Sequence, residues 1–269
     1  MNQPASLNSY TLNNGVQLVA FHPLILGTFQ NRMEKMNFIV DLVVTRHLTT
    51  FTHSVMVSYL AEAIGKHILA ARPELLRIPS SYLTGNIYAS PAEVLDYIVP
   101  AALFHDIGKN GMIPIINTQH RKLNDYEFNI IQTHPQKGSD YLSSDPDFLI
   151  YQPVALGHHR SYDGTRGYPL SFDNTASPYR DAIDLIHICD CLDAATDYLS
   201  RNYHRAKPFD VVLNELKAGR GTEYNPDMVD VILSDRELYN DLKMLTEQNR
   251  ENIYYDIYLT FVNLRKKRQ

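Results

Sequence analysis

Apolar residues recur at steps of three and four from Phe38 through Leu42, Phe51, Val55, Leu60 and Ile64 to Ile68, a spacing that predicts a helix or a kinked pair of helices over 36–70. His53 falls inside it. A connection rich in Pro, Ser and Gly follows over 72–92. Apolar residues resume at Val94 and run to Ile107, with Pro100 expected to kink the helix or open a new one, and Gly108 expected to stop it. Asn124 followed by Glu127 is a capping-box pattern, opening a helix that should end at His134 because Pro135 disfavours helical geometry in the residue before it. A short segment from Pro153 closes at His158 and His159. A loop covers 160–180, an apolar helix 181–200, and a further helix 208–217. Ser234 with Glu237 predicts the start of a long last helix carrying Leu238, Leu242, Leu245, Ile253, Ile257 and Phe261. Its closing RKKR at 265–268 places cations at the negative end of a helix.

Before residue 36 the pattern is mixed, and Asn13-Asn14-Gly15 marks a turn belonging to either a short hairpin or a small cap. Strands are scarce and no repeat is visible, so the expected fold is all-α, a helical bundle with a long C-terminal helix. The expected organisation is a short N-terminal segment over 1–35 and one domain over 36–269 that includes a C-terminal helical extension.

Composition narrows the function without choosing it. At 269 residues the chain can bury a large core, and its 44% hydrophobic and 20% charged residues are those of a globular protein. Lys and Arg total 25 against 30 for Asp and Glu, a net charge of −5 that argues against gripping polymeric nucleic acid. No apolar run is long enough to span a bilayer and no signal-peptide pattern opens the chain, so neither a membrane partner nor export is expected, and the expected location is cytoplasmic. Cys189 and Cys191 are expected to be reduced.

The chemistry concentrates in HDIGK at 105–109. An adjacent His-Asp pair joins an imidazole to a carboxylate that can bridge two cations. Around it lie His53, His134, the pair His158-His159 and Asp190, spaced so that separate helices could each bring ligands to a common centre. Together His53, His105, Asp106, His134, His158, His159 and Asp190 can hold two divalent cations. Adjacent helical residues diverge by about 100°, so Asp106 would have to reach both ions. Two dications outweigh two carboxylates and a bridging hydroxide, which favours an anionic phosphodiester, and such sites make a nucleophile from bound water. Lys109, three residues on, could stabilise charge on phosphoryl oxygens.

The ordered motifs resemble the HD-GYP subgroup of the HD-domain metal-dependent phosphohydrolases. The resemblance rests on HDIGK, His134 with Gly138, His158-His159, DG at 163–164, GYP at 167–169 and D-x-x-D-A at 190–194. HSVMVSYLA from His53 is similar to the family's first ligand helix, RNYHR at 201–205 to its Arg-x-Tyr-Arg segment, and GTEYNP at 221–226 to its GT-x-F-D-P turn. The similarity covers roughly residues 45–235.

The resemblance implies an iron or manganese centre and hydrolysis of cyclic di-GMP to linear pGpG by a metal-bridging hydroxide. It assigns His53, His105, Asp106 and Asp190 to one metal, with Asp106 bridging, and His134, His158 and His159 to the other. Lys109 would contact the scissile phosphate. Arg201 and Arg205 would take the second phosphate or a guanine face. Tyr168 would shape the loop, with substrate contact as the lesser role. Thr49 stands where three-metal members carry Glu, which favours two metals and pGpG as product. Arg160 stands where Glu is usual, DGTRGYP is one residue longer than the common loop, and His204 replaces an Arg; these bear on substrate identity.

Other readings remain open at this stage. The substrate could be another cyclic dinucleotide or nucleotide, or the chain could bind a nucleotide or protein with little catalysis. A homodimer and a signalling-protein partner are both compatible. His47 is an alternative first ligand, and His187 is either a donor orienting a ligand or a satisfied core histidine. His22, His67, His120 and His204 are read as surface or structural.

Overall fold

The computed structural model of the protein describes residues 9–11, 17–19, 29–80, 88–112, 122–200 and 205–267. At the N-terminus β1 (Ser9–Thr11) and β2 (Gln17–Val19) pair antiparallel, with Tyr10 opposite Leu18. The hairpin is therefore the alternative that holds, although the Asn13–Gly15 turn lies outside the described residues.

The 36–70 pattern resolves into two helices, α1 (Arg32–Arg46) and α2 (Leu48–Ala71), which break at His47, where φ is −144° and ψ 68°. Asn31 caps α1 by accepting from the Glu34 amide. α3 (Pro91–Phe104) opens on a Ser90–Glu93 capping box with Pro91 in the first turn, where a missing N–H costs no bond, and it continues through Pro100. α2 lies along α3 and against α7 (Arg180–Thr196). Met56, Leu60, Ile64, Ile98, Leu185 and Ile188 fill that seam and are fully buried, each contributing about 1.5–3 kcal/mol relative to exposure.

Four expectations are corrected here. The Asn124–Glu127 box does open α4 (Asp125–Ile131), but His134 is the first residue of α5 (His134–Ser143), with Pro135 in its first turn. The proline that reads as a stop signal thus serves as a start signal. Gly108 does not end a helix: α3 stops at Phe104, and Gly108 sits in a 3₁₀ turn over Ile107–Gly111. Further on come α6 (Gln152–Gly157), α8 (Phe209–Ala218) and an unforeseen α9 (Pro226–Ser234). The cap after α9 is Asp235, not Ser234. Its Oδ1 accepts from Glu237 and Leu238 amides, while the Ser234 hydroxyl donates to the Asp230 carbonyl. The last long helix is two, α10 (Arg236–Lys243) and α11 (Arg250–Lys267), separated by a π-helical stretch over Met244–Gln248. No helix of the described residues is long and apolar enough to cross a membrane.

α7 also carries a titration that should be visible in stability. Burial pushes the Asp184 carboxyl up to about 7, against the lowering effect of the Asn225 amide and Arg180. A folded-state value above the unfolded one adds stability that is complete below about pH 4 and is lost as pH rises to about 7. Asp184→Asn is expected to stabilise the protein at pH 8 by about 2–4 kcal/mol and to leave it unchanged at pH 4. Thermal melts at both pH values check this, and equal shifts at both would contradict it.

Candidate metal centre

Three of the candidate ligands stand just past helix C-termini, and one local device orients them all. His105 follows α3, His134 follows α4 and His158 follows α6. Each ring turns back on the carbonyl three residues earlier. The distances are 2.6 Å from His105 Nδ1 to Ala102, 2.6 Å from His134 Nδ1 to Ile131 and 2.9 Å from His158 Nδ1 to Ala155. Last-turn carbonyls lack helical partners, so each ring satisfies one. Because a carbonyl only accepts, Nδ1 must carry the proton and Nε2 keeps its lone pair for a cation. His53, within α2, uses a side chain instead: its Nδ1 lies 2.6 Å from Asp193 Oδ2.

Asp106 leaves helical geometry (φ −98°, ψ 10°), so the 100° divergence expected of adjacent helical residues does not govern the His-Asp pair. Its two oxygens face different partners. Oδ2 lies 3.7 Å from His53 Nε2 and 3.6 Å from His105 Nε2, and also accepts from Lys109 Nζ. Oδ1 lies 3.1 Å from His134 Nε2 and 3.8 Å from His158 Nε2. Asp190, from α7, places Oδ1 3.0 Å from His53 Nε2 and 4.0 Å from His105 Nε2, and Oδ2 3.6 Å from His159 Nδ1. The seven residues singled out in the sequence thus converge. Donor atoms of Asp106, His134, His158 and His159, and separately those of His53, His105 and Asp106, lie within 4.8 Å of one another.

The electrostatics suit a cation. Burial holds His105, His158 and His159 below the ordinary histidine value, so their rings are neutral at physiological pH. Burial alone would push Asp106 up, but the Lys109 ammonium and the His105 and His134 rings hold it well below the usual carboxylate range. Asp190 is likewise held down against burial by its bond to His53 and by His159 and His105. Neutral imidazoles beside ionised carboxylates are the donor set a divalent ion requires. His105 Nε2 is buried with no hydrogen-bond partner, as a nitrogen reserved for a metal would be.

The remaining expectations divide. Lys109 is in the cluster. Tyr168 covers it, its ring centroid 4.6 Å from His159 and 6.1 Å from His134, and burial pushes its phenol up so that it stays protonated. The buried Arg160 guanidinium holds the long loop, donating to the carbonyls of Gly164, Arg166 and Gly167. Gly167 is required there: φ is +86°, and a Cβ would stand 1.8 Å from the His159 carbonyl oxygen. His187 is buried and its Nδ1 donates to the His158 backbone carbonyl at 2.6 Å, a bond to the chain that carries a candidate ligand and not to the ligand's ring. His47 is buried where α1 and α2 break and belongs to none of the donor groups. His67 pairs with Asp235 at 2.7 Å. Thr49 is exposed, as is Arg205, while Arg201, His22, His120 and His204 lie outside the described residues. Cys189 is buried and neither cysteine forms a disulfide. The D-x-x-D-A motif contains Asp193, but the sequence assigned it no role, although it lies three residues from Asp190 on one helical face. Sequence likewise assigned no role to Glu223, 3.3 Å from His187 Nε2 and inside the quoted GTEYNP turn, or to Arg250, which has no local signal.

The model of the HD domain family matches residues 50–202, a span containing every member of the cluster. The chain belongs to the HD domain family. Among its relatives, a cyclic di-GMP phosphodiesterase of Vibrio cholerae is 26% identical over 210 residues, covering 74% of this chain and 41% of that protein. The cyclic di-GMP phosphodiesterase response regulator RpfG of Xanthomonas campestris is 33% identical over 146 residues, covering 54% and 37%. A 3'3'-cGAMP-specific phosphodiesterase of Vibrio cholerae is 25% identical over 203 residues, covering 74% and 37%. This HD domain protein spans about two fifths of the length of these relatives, and α8 to α11 lie beyond the matched span.

Proposed function

We propose that this HD domain protein is a metal-dependent phosphodiesterase that hydrolyses cyclic di-GMP to linear pGpG. The observation that carries the proposal is the Asp106 carboxylate, whose oxygens face two separate sets of histidines. His53, His105, Asp106 and Asp190 would hold one cation and His134, His158 and His159 the other, with iron or manganese matching the nitrogen and oxygen donors. Two such ions would polarise the phosphodiester and lower the pKa of water between them.

The chain's own groups account for the rest. Lys109 reaches the cluster from a partly exposed position, so its ammonium can leave Asp106 for a phosphoryl oxygen as charge builds there. Tyr168 and the loop held by Arg160 wall the site on the His159 side, where they would meet a base or sugar. Arg201 and Arg205 are proposed for the second phosphate. Thr49, in place of a carboxylate, favours a two-metal centre and pGpG as the end product. The domain is proposed to run over 36–269 and to work in the cytoplasm, alone or with a second copy or a signalling protein.

A second reading has its own support. The Arg160-bonded loop differs from the common one, and relatives include a cGAMP phosphodiesterase, so another cyclic dinucleotide is the alternative substrate.

Product analysis of cyclic di-GMP and 3'3'-cGAMP, each incubated with iron- or manganese-loaded protein, separates the readings. pGpG as the faster product supports the proposal, faster cGAMP cleavage supports the alternative, and binding without cleavage leaves a nucleotide-binding module. Lys109→Met is expected to lower kcat by about 10²–10³-fold while the protein keeps its full metal content. Metal loss in that variant would move Lys109 from phosphate contact to support of the site.

A further inference from the structure

We infer that Arg250 is a positioning residue for the His53 half of the metal centre, coupling the C-terminal helix to that half through Asp193. The inference rests on reading the cluster as a metal centre. Arg250 opens α11, well beyond the span matched by the family, yet it is fully buried. Each arm of its guanidinium is engaged. Nη1 donates to Asp193 Oδ1 at 2.7 Å, Nη2 to Thr196 Oγ1 at 2.9 Å, and Nε to the Thr246 carbonyl at 3.2 Å. The last contact spans the helix break. The π-helical stretch between α10 and α11 turns Arg250 inward and leaves a carbonyl for it to satisfy.

The other oxygen of Asp193 accepts His53 Nδ1–H at 2.6 Å. Of the four histidines His53, His105, His134 and His158, His53 alone is oriented by a side chain from another helix; the other three are held by carbonyls three residues back. Its ring direction therefore depends on where Asp193 stands, and Asp193 stands where Arg250 holds it. A buried ion pair is a weak device for stability alone, because apolar residues of similar volume do as well. What this pair supplies is an ionised acceptor fixed behind a ligand, which keeps Nε2 aimed at the site.

The test is a Mn²⁺ titration of the metal-stripped full chain, with melts to verify folding. Arg250→Gln, and the double variant Asp193→Asn/Arg250→Gln, are expected to weaken one of two Mn²⁺ sites by about 10–100-fold and to leave the other unchanged. Arg250→Lys, which keeps a cation on Asp193, should recover most of the loss. Should Arg250→Gln fail to fold for want of a partner to Asp193, the double variant, which removes both charges, decides the matter in the same way. Unchanged affinity at both sites in a folded variant overturns the inference, as does equal weakening of both, which marks general loosening. A wild-type chain that takes up no Mn²⁺ overturns the metal reading itself, an outcome distinct from a wild type that binds two ions beside an unaffected variant.

Discussion

Asp106→Ala is expected to empty both cation sites and to cut phosphodiester hydrolysis by at least about 10³-fold, roughly 4 kcal/mol at 1.36 kcal/mol per decade. Asp106 faces four of the histidines, His53 and His105 with one oxygen and His134 and His158 with the other. Removing it takes the charged donor from both groups in which it stands, the one with His134, His158 and His159 and the one with His53 and His105. Asp190 is at most a partial substitute: it faces His53, His105 and His159 and shares a donor group with His105 and His158, but it joins no donor group with His134. The fold should survive: the Asp106 carbonyl still accepts from the Lys109 amide, and Lys109, partly exposed, can turn to water. Metal analysis, a melt and a turnover assay on one preparation separate these effects. A folded variant that retains two metals and hydrolyses substrate would remove Asp106 from the centre of the mechanism.

What the sequence discloses about this protein follows from the range of the forces involved. The helix pair over 36–70, the Asn124–Glu127 cap and the short segment before His158 depend on periodicity and on contacts within four residues, and they are legible. The candidate ligands are legible because histidines and aspartates in one order have few other uses, and the structure brings all seven together. Boundaries set by tertiary contacts are not. Pro135 carries the same local signal at a helix end as at a helix start, and only the packing of α5 against the 107–111 turn decides between them. Ser234 and Asp235 compete for one cap, and the carboxylate that reaches two amides takes it. Arg250 looks like a solvated surface arginine in sequence; its burial depends on Asp193, 57 residues away.

The same contrast runs through the centre itself. His105, His134 and His158 are oriented by the helices that precede them, so each imidazole is placed as soon as that helix ends. His53 and the crossing of the Asp106 turn over α5 depend on distant partners. The cluster is thus assembled from locally placed candidate ligands and two long-range contacts, and the contacts are where single substitutions should act without touching a candidate ligand.

Gly108→Ala is the sharpest case and should disrupt the centre as effectively as loss of a ligand. A Cβ at Gly108 would stand 1.9 Å from the His134 carbonyl oxygen and 2.5 Å from the Gly138 amide nitrogen. Both are backbone atoms, so no rotamer change relieves the clash, and the 107–111 turn must move away from α5. That motion separates Asp106 from His134, now 3.1 Å apart. The expected cost is about 3 kcal/mol, the upper end of ordinary overpacking, or roughly 6–12 °C in Tm for a chain of this size. The cation proposed for His134, His158 and His159 should be lost first, since Asp106 shares their donor group. Gly111→Ala in the same turn is the control, because a Cβ there would meet only Lys137 Cδ at an ordinary 3.5 Å. Similar melting and metal content in the two variants would show that the turn can shift without opening the centre; loss in Gly108→Ala alone would establish the backbone crossing as what joins its halves.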